Sequence, residues 1–190
     1  MGDAYEDADA ERGIGMKFSE IPQFLTNRAN YHVDVGFKYF SKTIQDYIDE
    51  FGLILNPEFQ RGHVWTEEQQ ERYIEYVLRG GTSGKEIYFN KPSWHCKAET
   101  DYDDFVCVDG LQRITAIRKF QANEIKAFGL YYNEFEGESR EITTRLSIYI
   151  NDLQYEKDVL QWYIEMNEGG TPHTKEEIQR VKDMLIKLEE

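Results

Sequence analysis

Apolar residues at Ile44, Tyr47, Ile48 and Phe51 fall at the i, i+3, i+4, i+7 spacing of an amphipathic helix that begins near Ser41, and Gly52 can close it in a left-handed cap. Leu53 to Leu55 then reads as a short strand, broken by Asn56-Pro57. The capping box Thr66-Glu67-Glu68-Gln69 starts a second helix, with Tyr73, Ile74, Val77 and Leu78 on its inner stripe and Gly80-Gly81 as its stop. A strand over Glu86 to Asn90 follows. After a polar loop from Pro92 to Asp104, the continuous apolar run Phe105 to Val108 has the character of a strand inside a sheet. A helix beginning just after Gly110 carries Leu111, Ile114, Ile117 and Phe120. Ile125 to Tyr132 and Arg145 to Ile150 read as further strands, and Leu146, Ile148 and Ile150 alternate in the second of these. Val159 to Met166 is helical in pattern, Gly169-Gly170 interrupts it, and Thr174-Lys175-Glu176-Glu177 caps a last helix with Ile178, Val181, Leu185 and Leu188 inward. The pattern predicts an α/β (α+β) domain, a mixed sheet flanked by helices and not a regular βαβ series.

Composition narrows this picture. The first 15 residues carry Asp3, Glu6, Asp7, Asp9 and Glu11 with almost nothing apolar, too little to offset the ordering entropy, so a disordered acidic tail is expected there. Residues 16–190 then form a single domain with a helical C-terminal segment. With 40% hydrophobic residues and 14% aromatic ones, that length can bury a sizeable core. The net charge of -14 makes direct DNA binding weak or absent unless bases cluster or a divalent cation mediates. The same charge allows a different role, that of an acidic decoy which imitates DNA and blocks a DNA-binding partner protein. Cys96 and Cys107 are the two cysteines, and the second lies in an apolar strand, as expected in a reducing cytoplasm. No apolar run approaches a membrane span, so no membrane association is expected.

Chemistry concentrates in three places. Asp109-Gly110-Leu111-Gln112-Arg113 joins a strand to a helix start, where backbone N–H groups, the positive end of the helix dipole and a guanidinium surround a volume suited to phosphate. Gly110 serving only a tight turn, with Gln112 and Arg113 as a solvated first turn, is the plainer reading of the same residues. Gln60-Arg61 is a second polar pair, set between Phe59 and Trp65 just before a capped helix. Its arginine matches phosphate oxygens or, equally, a structural carboxylate. Asn167-Glu168-Gly169-Gly170-Thr171-Pro172 is a loop that permits close backbone approach to a ligand, and it is also a simple helix C-cap with a proline stop. The four histidines, His32, His63, His95 and His173, show no metal-ligand spacing, and His63, two residues after Arg61, is the candidate among them for a site role. There is no Walker loop ending in Lys-Ser or Lys-Thr.

Taken in order, Asn56-Pro57-Glu58-Phe59-Gln60-Arg61 through Trp65, the Asp-Gly-x-Gln-Arg turn at 109–113 and Asn167 to Pro172 resemble the motifs of the N-terminal domain of GmrSD-type modification-dependent restriction endonucleases, in the ParB/sulfiredoxin-like superfamily. The resemblance spans about Ser41 to Arg180. It implies a ParB-like fold whose turn binds the phosphates of a nucleoside triphosphate with Mg²⁺. Carried over by position, Asp109 is a metal or water ligand, Gln112 and Arg113 hold the phosphates, and Gln60, Arg61, Gly110 and His63 belong to the pocket with Asn167 at its rim. Leu111 departs from the pattern, standing where the family often has a second glutamine. The family's enzymes carry a His-Asn-His nuclease domain after this module. The present sequence ends at Glu190 with four scattered histidines, so the expectation is a Mg-dependent NTPase module of a phage or restriction system without its own nuclease. The acidic decoy, and a phosphotransferase or nuclease on the same fold, stand as alternatives.

Overall fold

Alternation of apolar and polar residues builds the sheet. The computed structural model describes residues 17–21, 25, 30–95, 97–137, 143–168 and 175–189. Four strands, β1 (Tyr31–Gly36), β2 (Glu86–Asn90), β3 (Val106–Asp109) and β4 (Arg145–Asn151), form one sheet in the order β1-β4-β2-β3. The β1–β4 and β2–β3 pairs are antiparallel and the central β2–β4 pair is parallel. A mixed α/β fold is therefore what the chain adopts.

Five α-helices flank it: α1 (Phe40–Phe51), α2 (Glu67–Leu78), α3 (Leu111–Gln121), α4 (Glu156–Glu168) and α5 (Lys175–Glu189). On one face, Ile87, Phe89, Cys107, Leu146, Ile148 and Ile150 point into the main core with Phe40 and Ile44 of α1, Ile74 and Val77 of α2, and Ile114, Ile117 and Phe120 of α3. On the other face, Val106 and Val108 of β3 meet Val159, Leu160, Trp162, Tyr163 and Ile164 of α4, with Phe59 and Val181. The period of two along β2 and β3 thus divides their side chains between two helical layers.

Local signals act where the sequence places them. Gly52 ends α1 at φ 71° and its N–H reaches back to the Ile48 carbonyl at 3.2 Å. At α2, Thr66 Oγ1 accepts the Gln69 N–H at 3.3 Å while Gln69 Oε1 accepts the Thr66 N–H at 2.9 Å, a reciprocal box.

Three elements differ from expectation. Tyr31–Gly36 is an edge strand that the sequence reading did not anticipate, although Tyr31, Val33 and Val35 alternate with His32 and Asp34. The strand expected at Ile125 to Tyr132 is instead a tight turn: Ala127 and Leu130 exchange both backbone hydrogen bonds, and Phe128 and Gly129 between them have φ 53° and 76°. Two consecutive left-handed residues reverse the chain before a strand can extend. The segment Leu53–Leu55 reduces to a single parallel bridge, Ile54 to Val106, and the next acceptor along β3, the Cys107 carbonyl, is bound by Gln60 Nε2. The acidic tail at 1–15 and the loop Gly169 to Pro172 lie outside the described residues.

Candidate functional site

The site grows from the exposed edge of β3. Ile54 takes the first part of that edge, donating its N–H to the Phe105 carbonyl at 2.8 Å and accepting the Cys107 N–H at 3.0 Å. Further along, the β2–β3 register slips: Phe89 pairs with Cys107 but Tyr88 pairs with Asp109, so Val108 is an extra residue. Such a bulge turns backbone groups out of the ladder. Gln60 collects them, its Nε2 donating to the carbonyls of Cys107 at 3.0 Å and Val108 at 2.9 Å.

Gly110 is required by the turn that follows. Its φ of 118° lies in the region open to glycine, and a Cβ placed there would stand 2.7 Å from Ile87 Cδ1. The chain enters α3 at once, and the first helical hydrogen bond runs from the Ile114 N–H to the Gly110 carbonyl at 2.9 Å. Backbone N–H groups of the first turn accordingly have no acceptor within the helix.

A cleft with about 260 Å³ of empty space opens here. Arg61 and Gln60 line one side; Val108, Asp109, Gly110, Leu111 and Gln112 form its floor; Tyr163 and Asn167 of α4 close the third side. Residues 47 or more positions apart in the chain thus share one concavity, with Gln60, Arg61 and Gln112 all among its lining.

The polar side chains in and behind the cleft have distinct surroundings. Gln112 is bound to the preceding loop: its Oε1 accepts the N–H groups of Val64 at 2.9 Å and Trp65 at 3.1 Å, and its Nε2 donates to the Gly62 carbonyl at 2.8 Å. Arg113 is not among the lining residues. It lies behind the turn, with a side chain only 18% exposed, and is hydrogen-bonded through Nη2 to Asp109 Oδ2. Burial alone would lower its basicity, but the Asp109 carboxylate and the nearby Tyr73 outweigh this and hold the guanidinium above its ordinary value. His63 is also outside the lining. Its pKa is lowered by desolvation and by the Lys119 ammonium, against a hydrogen bond with the Trp65 backbone, so it is neutral at pH 7. Asn167 donates Nδ2 to the Tyr163 carbonyl one turn back at 2.7 Å.

Two participants escaped the sequence reading. Tyr163 sits in an apolar helical stripe, where an aromatic ring signals core, and in fact it is 2% exposed while also bordering the cleft. Arg180, on the polar side of α5, donates Nη2 to the carbonyls of Phe59 at 3.2 Å and Gln60 at 3.0 Å. Neither role has a signature in one sequence, because each depends on which loop packs beside the helix.

A mixed sheet with helices on both faces, and a polar cleft at a strand-glycine-helix turn, define an α/β module by fold. Residues 39–147 match the family described as GmrSD restriction endonuclease, N-terminal domain, over more than half of the chain, and the protein belongs to that family of restriction-system modules. The matched segment includes Gln60, Arg61 and the 109–113 turn, and ends before α4. Comparison with curated proteins and with solved structures gives no match for this chain. Among the described residues, no helix is long and apolar enough to cross a membrane.

Proposed function

We propose that the cleft binds the phosphate groups of a nucleoside triphosphate and that the protein hydrolyses it. The observation that carries this reading is the convergence of Arg61, Asp109 and the start of α3 on one cleft. Arg61 and the first-turn amides supply donors of positive character, as a polyanion requires.

The donor set also fits Mg²⁺. Asp109 is the carboxylate among the lining residues described, and Gln60 and Asn167, which donate their amide hydrogens to backbone carbonyls, keep their amide oxygens as acceptors. Hard oxygen ligands of this kind suit Mg²⁺ held by one carboxylate together with phosphate oxygens and water. Among the described residues no group of three or more His, Cys, Asp or Glu side chains could hold a metal, so the remaining ligands would come from substrate and solvent. Asp109 would hold the ion, which would supply neutralisation of charge on the transferred phosphoryl oxygens. Arg61 would orient the polyphosphate, and Arg113 would hold the Asp109 carboxylate in place. Gln112 serves this function by fixing the loop that presents Arg61.

Calorimetric titration of the purified protein with ATP, GTP and tripolyphosphate in Mg²⁺, combined with phosphate release, tests the proposal. Saturable binding that is lost in Arg61→Ala, with release of free phosphate, is the expected result. Absence of both binding and release for every triphosphate overturns it.

A further inference from the structure

Tyr163 and Asn167 of α4 border the cleft, and α5 packs on α4 with one side chain that holds the loop carrying Arg61. Arg180 donates to two successive carbonyls, those of Phe59 and Gln60, immediately before Arg61. The same short stretch is tied elsewhere by three other contacts. The Gln60 N–H donates to the Pro57 carbonyl at 2.9 Å, the Gln60 amide caps the β3 edge, and the Phe59 ring meets Tyr163 of α4 edge-on at 5.2 Å. Phe59 is 4% exposed within the cluster that α4 and Val181 of α5 complete. The loop therefore lies between the edge of the sheet on one side and the helix pair on the other.

We propose that Arg180 is a positioning residue: through the two bonds from its Nη2 to the Phe59 and Gln60 carbonyls, α5 sets the placement of Arg61, so the α4–α5 pair governs the affinity of the cleft for polyphosphate. Two bonds from Nη2 to adjacent carbonyls hold the backbone at two successive peptide groups, where one bond would hold it at one. Val181, adjacent to Arg180, is 1% exposed in the α4 contact, so the anchor rides on a packed helix and not on a free end. A displacement of α5, by a partner or a neighbouring domain, would be transmitted to the Arg61 side chain through these two bonds. The functional half of this inference rests on the phosphate reading of the cleft.

The test compares wild type, Arg180→Ala and Arg180→Lys by amide hydrogen exchange without ligand and by calorimetric binding of tripolyphosphate with Mg²⁺. Arg180→Ala is expected to speed exchange at residues 58–62 while that of β4 is unchanged, and to weaken tripolyphosphate by about tenfold, the effect of losing charge-assisted hydrogen bonds. Arg180→Lys, which keeps the charge on a shorter side chain without the planar guanidinium, is expected to fall between. Unchanged exchange at 58–62 in both variants overturns the positioning role. Faster loop exchange with unchanged affinity overturns its link to the ligand. A general rise in exchange that includes β4, seen in both variants, shows a scaffold role and overturns the proposal as well. Failure of the wild type to bind tripolyphosphate removes the phosphate reading and the link to it, while the exchange data still decide whether Arg180 holds the loop.

Discussion

Arg113 reaches back one helical turn to Asp109, so that an ion pair closes over the glycine turn from which α3 starts. The carboxylate is 38% exposed toward the cleft and the guanidinium 18% exposed behind it. The pair therefore presents a carboxylate to ligand and retains the positive charge in the wall. Replacing Asp109 by Ala strands a largely buried cation. The expected loss is about 2 kcal/mol of stability, below the range for fully buried pairs because water reaches the carboxylate. Urea unfolding measures it, and a loss under about 0.5 kcal/mol would show that the pair contributes little to the fold.

Gly110→Ala should be among the most destabilising single changes in the site. The added methyl group meets Ile87, and φ 118° is strained for any L side chain. A cost of about 2–4 kcal/mol is expected from strain and overpacking together. Thermal unfolding of the variant checks this, and a melting temperature equal to that of wild type would contradict the close approach of the turn to β2.

For Gln112→Ala the effect should be local. Three hydrogen bonds to Gly62, Val64 and Trp65 disappear, at about 1–3 kcal/mol in total, since the loop regains water as a partner. Faster amide exchange at Val64 and Trp65 is the diagnostic readout. If those two amides stay as protected as before, something other than Gln112 holds the loop.

Arg61→Ala separates binding from folding. Affinity for tripolyphosphate in Mg²⁺ should drop at least about tenfold, as for loss of a charge-assisted contact, and stability should fall by less than it does for Gly110→Ala. Equal affinity in the two proteins would place the anion elsewhere.

Alkaline pH should unfold the protein through its tyrosines. Burial, with a smaller contribution from Tyr31, pushes the Tyr47 hydroxyl up to about 12 from an ordinary value of 10.0. Burial also raises Tyr73 and Tyr102. A group whose folded pKa lies above its unfolded one contributes stability that is complete below the unfolded value and disappears as pH rises through the folded value. Stability should consequently decline between pH 10 and 12, and Tyr47→Phe should flatten that decline. Melting temperatures measured across this window in the two proteins decide the point.

Much of the fold was legible along the chain wherever neighbours in sequence carry the information. The Thr66 capping box, the Gly52 cap and the apolar stripe of α3 are local, and they form where their patterns stand, whereas the stripes of α1 and α5 end on the exposed Phe51 and Leu188. The turn at Phe128-Gly129 was not legible, because its flanking apolar residues have the composition of a strand. Nor was the strand order: the β2–β4 pairing joins residues about 60 apart, and local pattern does not choose such partners.

At the site, the sequence by itself determined which residue types are available: two Gln-Arg pairs, a glycine between strand and helix, and an asparagine near the end of α4. Tertiary structure alone decided their direction. Gln112 turns to the loop before α2, Arg113 pairs with Asp109, His63 lies outside the cleft, Tyr163 borders it from a helix that looked like ordinary core, and Arg180 binds the loop beside it from a helix surface. The reason is physical. A side chain's partner is set by which unsatisfied backbone groups folding brings near it, and the carbonyls of the β3 bulge and of the 59–62 loop acquire their neighbours only when the sheet and helices pack.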